Sequence, residues 1–302
     1  MKKLMAIVLC LFAGFAQASG YSQTKYPVVL APGVLGFDTV LGVPYWYQIP
    51  SALQSGGTTV YIATASAVNS ANAVGEQLLG QVKTILAISG ASKVNLIGHS
   101  EGGFSSRYVA GVLPGSVASV TTFDSPVKGS PVADDLYAFV HGTNTTGVVS
   151  TIVNAFANLF DAVAGVSYRN SIMAMLGSMS TSGAAQFNAQ FPNGVPTSAC
   201  GNGAASGPNG QLYFSYNGTS DVTNILDPLS LLWAGTSLAF NGAPNDGLTG
   251  QCSSHFGTVV RDNYPWNHGN AINQFLGLIG LFAPSPVPVY TAQVNRLKNA
   301  GL

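Results

Sequence analysis

Short apolar runs and helical apolar spacing alternate along this chain. Tyr26-Pro27-Val28-Val29-Leu30 is a continuous apolar run that enters a turn signal, Ala31-Pro32-Gly33, and so predicts a short buried strand. Thr59 to Ile62, Lys93 to Ile97 and Val117 to Phe123 read the same way, the last closed by Asp124-Ser125-Pro126. Between them the spacing turns helical. From Asn72 to Ala87 the apolar residues Val74, Leu78, Val82, Ile85 and Leu86 share one face, and Phe104 to Ala110 predicts a further helix. Strands alternating with helices predict a mostly parallel central sheet flanked by helices, with right-handed crossovers.

A different pattern occupies Gly142 to Val166. Val149, Ile152, Val153, Phe156, Leu159, Phe160 and Val163 fall on one side, with Ser150, Thr151, Asn154, Asn158 and Asp161 on the other. This is an amphipathic helix, which either packs on the core or covers a site as a mobile lid. Gly201 to Gly210 is rich in Gly, Asn, Ala and Ser and predicts a surface loop.

The amino terminus changes the picture of where the chain works. Lys2 and Lys3 precede an apolar stretch from Leu4 to Phe15 and the small-residue site Ala16-Gln17-Ala18. That layout predicts a secretory signal peptide over residues 1–18 and one domain over 19–302. A membrane anchor needs about 20 apolar residues, more than this run offers. Once Cys10 leaves with the leader, Cys200 and Cys252 remain as an even pair in an exported protein, which predicts a disulfide. The formal net charge is +0 and only 7% of residues are charged. No electrostatic footprint for nucleic acid exists in such a chain, and uncharged or apolar substrates suit it.

The strongest chemical signal is Gly98-His99-Ser100-Glu101-Gly102. It fits G-x-S-x-G between a predicted strand and a predicted helix, the setting in which a strained turn exposes a nucleophilic serine. Such a serine needs a base to take its proton and an acid to orient that base, and both should follow it in the chain. His255 and His268 are the candidate bases; Asp124, Asp221, Asp227, Asp246 and Asp262 are the candidate acids. Asp246 sits on the turn Asn245-Asp246-Gly247, but order alone does not choose among them. An oxyanion needs two preorganised N–H donors. Glu101 supplies one, and Val34 is the candidate for the other, because Pro32 has no N–H.

These residues resemble the foldase-dependent true lipases of Pseudomonas and relatives, with the α/β-hydrolase fold. The likeness is carried by Tyr26-Pro27, Gly33 to Asp38, Val94 to Gly103, Asn245 to Leu248, Cys252 to His255, Arg261 to Tyr264, Asn267-His268 and Asn295 to Ala300. It implies that Asp246 is the triad acid and His268 the base, leaving His255 and Asp262 structural. It also implies that Cys200 and Cys252 are bonded and that 142–166 is the lid. A structural Ca²⁺ is implied near the histidine loop, held by Asp227, Asn270 and the carbonyls of Gln274 and Leu278, since oxygen donors suit that ion. The implied partners are a membrane-anchored foldase and a secretion machine.

Three positions depart from that family. Asn270 stands in place of an aspartate at the calcium site, Pro32 in place of a histidine before Gly33, and Glu101 in place of glutamine or histidine after Ser100. A Glu101 carboxylate opposes an oxyanion unless it points to solvent. Three activities follow as expectations: a triacylglycerol lipase, a short-chain esterase or polyester depolymerase with the same triad, or a non-catalytic binding protein on the same fold.

Overall fold

The computed structural model describes residues 20–34, 36, 39–40, 43–66, 69–143, 147, 149–151, 153 and 169–302. The leader read at 1–18 and most of the helix read at 142–166 lie outside them. In chain order the main elements are β1 (Val28–Ala31), β2 (Thr39–Val40), β3 (Val43–Pro44), α1 (Ile49–Ser55), β4 (Val60–Ile62), α2 (Ala71–Ser89), β5 (Val94–His99) and α3 (Glu101–Val112). There follow β6 (Val117–Phe123), α4 (Pro131–Val140), α5 (Arg169–Met179), α6 (Thr181–Gln190), β7 (Leu212–Gly218), α7 (Ser230–Ser237), β8 (Thr258–Tyr264) and α8 (Pro286–Asn299).

The central sheet has six strands in the order β4-β1-β5-β6-β7-β8, and every pairing is parallel. A separate antiparallel hairpin joins β2 to β3. The apolar runs are continuous because both faces of the sheet are covered. Val29, Leu96 and Val120 face one side, where Leu78, Val82 and Ile85 of α2 and Val109 of α3 pack on them. Their neighbours Val28, Leu30, Ile97 and Phe123 face the other side, against Ile49 and Leu53 of α1 and Tyr290 and Val294 of α8. Successive residues of a strand point to opposite faces, so each short run serves two cores at once.

Helix ends follow local chemistry. Ser70 caps α2 by accepting the Ala73 N–H, and the helix ends at Gly90 with φ 67°. Ser285 caps α8 in the same way, with Pro286 in its first turn and Arg296 and Lys298 in its last. A third apolar cluster, with Val132 and Leu136 of α4, Met175 and Leu176 of α5, and Phe240, roofs the end of the sheet at which β5 delivers Ser100.

Candidate active site

The elbow is built from close backbone approaches. Ser100 is held at φ 56°, ψ −124°, directly before the first turn of α3. A side chain on Gly98 would begin 2.1 Å from the Gly102 carbonyl oxygen, and one on Gly102 would begin 2.1 Å from that of Ala31. No residue with a Cβ fits either place, which is the physical content of the motif.

Ser100 and His268 line one cleft beneath α4 and α5. Its other walls are mainly apolar, including Val34, Leu136, Met175, Leu229, Leu248 and Phe275. His268 Nδ1 bonds Asp246 Oδ2 at 2.8 Å, with both side chains buried. Asp246 is itself aimed by its turn, where Oδ1 accepts the N–H groups of Leu248 and Thr249 at 2.8 and 2.6 Å. The His268 N–H returns to the Asp246 carbonyl at 2.8 Å. Trp233 sets its ring 5.6 Å from the imidazole, edge on.

A second His–Asp pair exists, which explains why chain order could not choose. His255 Nε2 bonds Asp262 Oδ2 at 2.9 Å, while its Nδ1 accepts the Gly201 N–H at 2.9 Å. That pair braces the loop at the Cys200–Cys252 disulfide, with Cα atoms 4.7 Å apart, and has no place in the cleft wall. Asp221 is held by Val222 and Ser237. Asp124 lies buried beside His99 and His268.

The N–H groups of Val34 and Glu101 have no hydrogen-bond acceptor among the described residues. Gly33, next to Val34, is in contact with Ser100: a side chain there would begin 2.6 Å from the serine Cβ. The Glu101 carboxyl does not point to solvent. It is buried with one oxygen unpartnered, and burial pushes its pKa up to about 8. It is therefore mainly neutral at pH 7, and the feared repulsion of an oxyanion is removed by protonation instead of by exposure.

A relay that the sequence reading missed ties the oxyanion loop to the histidine. The Gly33 N–H donates to the Tyr45 hydroxyl at 2.8 Å. That hydroxyl lies 2.7 Å from His99 Nδ1, and His99 Nε2 lies 3.1 Å from the His268 carbonyl oxygen. A carbonyl only accepts, so the proton of His99 is on Nε2 and the Tyr45 O–H donates to Nδ1. Desolvation, with His268 nearby, holds the His99 pKa well below its usual value, so the ring stays neutral. The Gln274 side chain adds a bond to the Tyr45 carbonyl at 3.0 Å. The aromatic run Tyr45-Trp46-Tyr47 was the available signal, but nothing in it specifies a histidine partner.

The four groups expected to hold calcium converge, yet their arrangement does not fit a cation. Asn270 Nδ2 donates to the carbonyls of Gln274 and Leu278, at 3.3 and 3.1 Å. Asn270 Oδ1 accepts the Thr223 hydroxyl at 2.7 Å. Asp227 Oδ2 accepts from Asn267 Nδ2 at 2.9 Å and Oδ1 from the Leu229 N–H at 2.9 Å. Every oxygen of the expected ligand set thus faces an N–H or O–H, which carries positive charge where an ion would need lone pairs. The loss of one carboxylate at position 270 is the physical reason.

Comparison with known proteins agrees with this geometry. A family model described as alpha/beta hydrolase fold matches residues 26–271. A Vibrio cholerae protein named triacylglycerol lipase is 47% identical, covering 94% of this chain and 91% of its own. One of the same name from Burkholderia plantarii is 42% identical, covering 94% and 89%. Among solved structures, Staphylococcus hyicus lipase superposes with a TM-score of 0.61 at 18% identity, over 92% of this chain and 97% of that one.

Proposed function

Since this chain belongs to the α/β-hydrolase family, with bacterial proteins named triacylglycerol lipase among its relatives, we propose that it is a triacylglycerol lipase acting through an acyl-enzyme on Ser100. One observation carries the reading: Ser100, on a strained elbow, shares an apolar cleft with a histidine already oriented by a buried aspartate. His268 takes the serine proton as Ser100 attacks the ester carbonyl, and Asp246 stabilises the imidazolium. The amides of Val34 and Glu101 receive the developing oxyanion. His268 then protonates the departing alcohol, and water attacks the acyl-enzyme with the same histidine as base. The apolar walls suit an acyl chain.

An oil–water interface suits the rim of the cleft. Leu226, Leu231, Leu276, Leu281 and Phe282 stand exposed on the two segments that also supply Leu229 and Phe275 to its wall. Asn224 Nδ2 bonds the Ile279 carbonyl at 3.0 Å and holds these segments together. Segment 142–166 is read as a lid; Val149 is buried and Val153 packs on the roof cluster, as an apolar underside requires. Export through the periplasm follows from the Lys2 to Ala18 pattern and agrees with the disulfide. A foldase and a secretion machine are the partners this route implies. Calcium is replaced in this reading by the Asn270 amide, which holds the histidine loop directly.

Hydrolysis of p-nitrophenyl palmitate and butyrate by wild type and Ser100→Ala tests the function. Palmitate turnover lost in the variant is the expected result. Turnover of butyrate alone would move the chain to the short-chain esterase or polyester depolymerase reading, which the altered Pro32-Gly33-Val34 segment favours. Equal activity in Ser100→Ala would sink the triad reading.

A further inference from the structure

Beside the triad lies a carboxyl group for which the reaction has no use. Asp124 follows β6 in the left-handed region, with φ 47°, a conformation that aspartate adopts more readily than most residues. Its side chain is fully buried. Oδ1 accepts the Gly218 N–H at 2.9 Å, and the main-chain carbonyl accepts the Thr249 hydroxyl at 2.9 Å. The group is thus clamped from β7 and from the turn that carries Asp246. Oδ2 is buried without a partner. A carboxyl oxygen of Asp124 and ring nitrogens of His99 and His268 all lie within 4.8 Å of one another.

Two ionised carboxylates in such a pocket repel each other, and apolar surroundings do not screen them. Burial and the adjacent Asp246 hold the Asp124 carboxyl well above the usual carboxylate range. The other titratable groups facing it are His99, kept neutral by burial, and Tyr290, whose hydroxyl is held well above its usual value by burial and by Asp124. A proton on Oδ2 removes the repulsion and gives that oxygen its missing partner. Asp246 has room for it: its oxygens accept from Leu248, Thr249 and His268, and a carboxylate offers about four acceptor sites.

We propose that Asp124 is a reserve positioning acid, donating an O–H to Asp246 in the intact enzyme and able to orient His268 in its place. The pair holds one proton and one negative charge. When Asp246 loses its carboxyl group, Asp124 gives its proton to solvent and accepts the Nδ1–H of His268. The proposal rests on the Ser100–His268–Asp246 reading, so Ser100→Ala is carried alongside as the control for that reading.

The test is a mutant cycle on the folded protein: wild type, Asp246→Ala, Asp124→Asn and the double variant, each checked for folding by circular dichroism. Loss of the orienting acid in a triad costs about 10⁴-fold in kcat. With a reserve acid, Asp246→Ala loses only about 10²-fold, and the further change Asp124→Asn supplies the rest of that loss. KM stays within a few-fold, because neither carboxyl binds the ester. The kcat–pH profile of Asp246→Ala also moves to higher pH than wild type, since its acid must first release a proton. Equal losses in Asp246→Ala and the double variant, or an unshifted profile, would overturn the proposal. Should the double variant fail to fold, the Asp246→Ala profile alone decides. Activity surviving in Ser100→Ala would instead bring down the reading beneath it.

Discussion

Ser100 shows how much chemistry one dihedral angle carries, since its positive φ points a hydroxyl into the cleft and leaves the next N–H, that of Glu101, at a helix N-terminus. The Glu101 side chain then poses a problem that burial solves, because the neutral acid adds no charge beside an oxyanion. The sign of its pH dependence follows from the raised pKa. Folded protein retains this proton between 4.5 and about 8 while unfolded chain releases it, so the group's contribution to stability falls as pH rises through that window. Above about 8 the charge appears next to the oxyanion site. Glu101→Gln is therefore expected to extend the alkaline limb of the kcat–pH profile and to flatten the decline in Tm across the same window. Parallel alkaline limbs in the two proteins would count against this account. The sequence pointed to Glu101 but not to its protonation, because only the packed neighbours decide whether water reaches it.

At the scale of elements, the loop bearing His268 is held by side-chain amides where the resemblance implied an ion. Asn270 bridges the carbonyls of Gln274 and Leu278, and Asn267 ties the same loop to Asp227. Chelation of wild type by EGTA is expected to leave Tm unchanged. In Asn270→Asp, the restored carboxylate should make Tm and activity rise with added Ca²⁺, since ligand charge raises affinity. A wild-type Tm that drops on chelation would restore the calcium reading. Residue identity pointed to Asn270 as the departure, but only the folded chain reveals the hydrogen bonds that its amide makes. Other elements were readable in outline: α2 spans Ala71–Ser89 where the apolar spacing indicated Asn72 to Ala87, and β6 covers Val117–Phe123 as read. Strands β7 and β8 went unread. Leu212–Gly218 mixes Ser and Asn into its aromatic run, and Thr258–Tyr264 carries Arg261-Asp262-Asn263. The pairing partners, more than intrinsic pattern, make these segments strands.

Across the whole molecule, Cys200 and Cys252 join loops 52 residues apart. Closing a loop of that length stabilises the fold by about 4 kcal/mol in the chain-entropy model. Cys200→Ser is therefore expected to lower the unfolding free energy by about that amount in a denaturant titration, while kcat at low temperature changes little, since the bridge lies outside the cleft. Loss of activity without loss of stability would contradict this placing. The alternation of apolar runs and helical faces, the G-x-S-x-G context and the cysteine pair are local or compositional facts, so the sequence alone determined the α/β class and the bridge and singled out Ser100 as the candidate nucleophile. Which histidine and which acid serve Ser100 depends on contacts such as His268 to Asp246, 22 residues apart in the chain. The Tyr45–His99 relay spans 54 residues, and the Asp124–Thr249 clamp 125. No periodicity encodes contacts at such separations. They exist only once the parallel sheet has brought its loops to one edge, and there the tertiary structure assembled the candidate site.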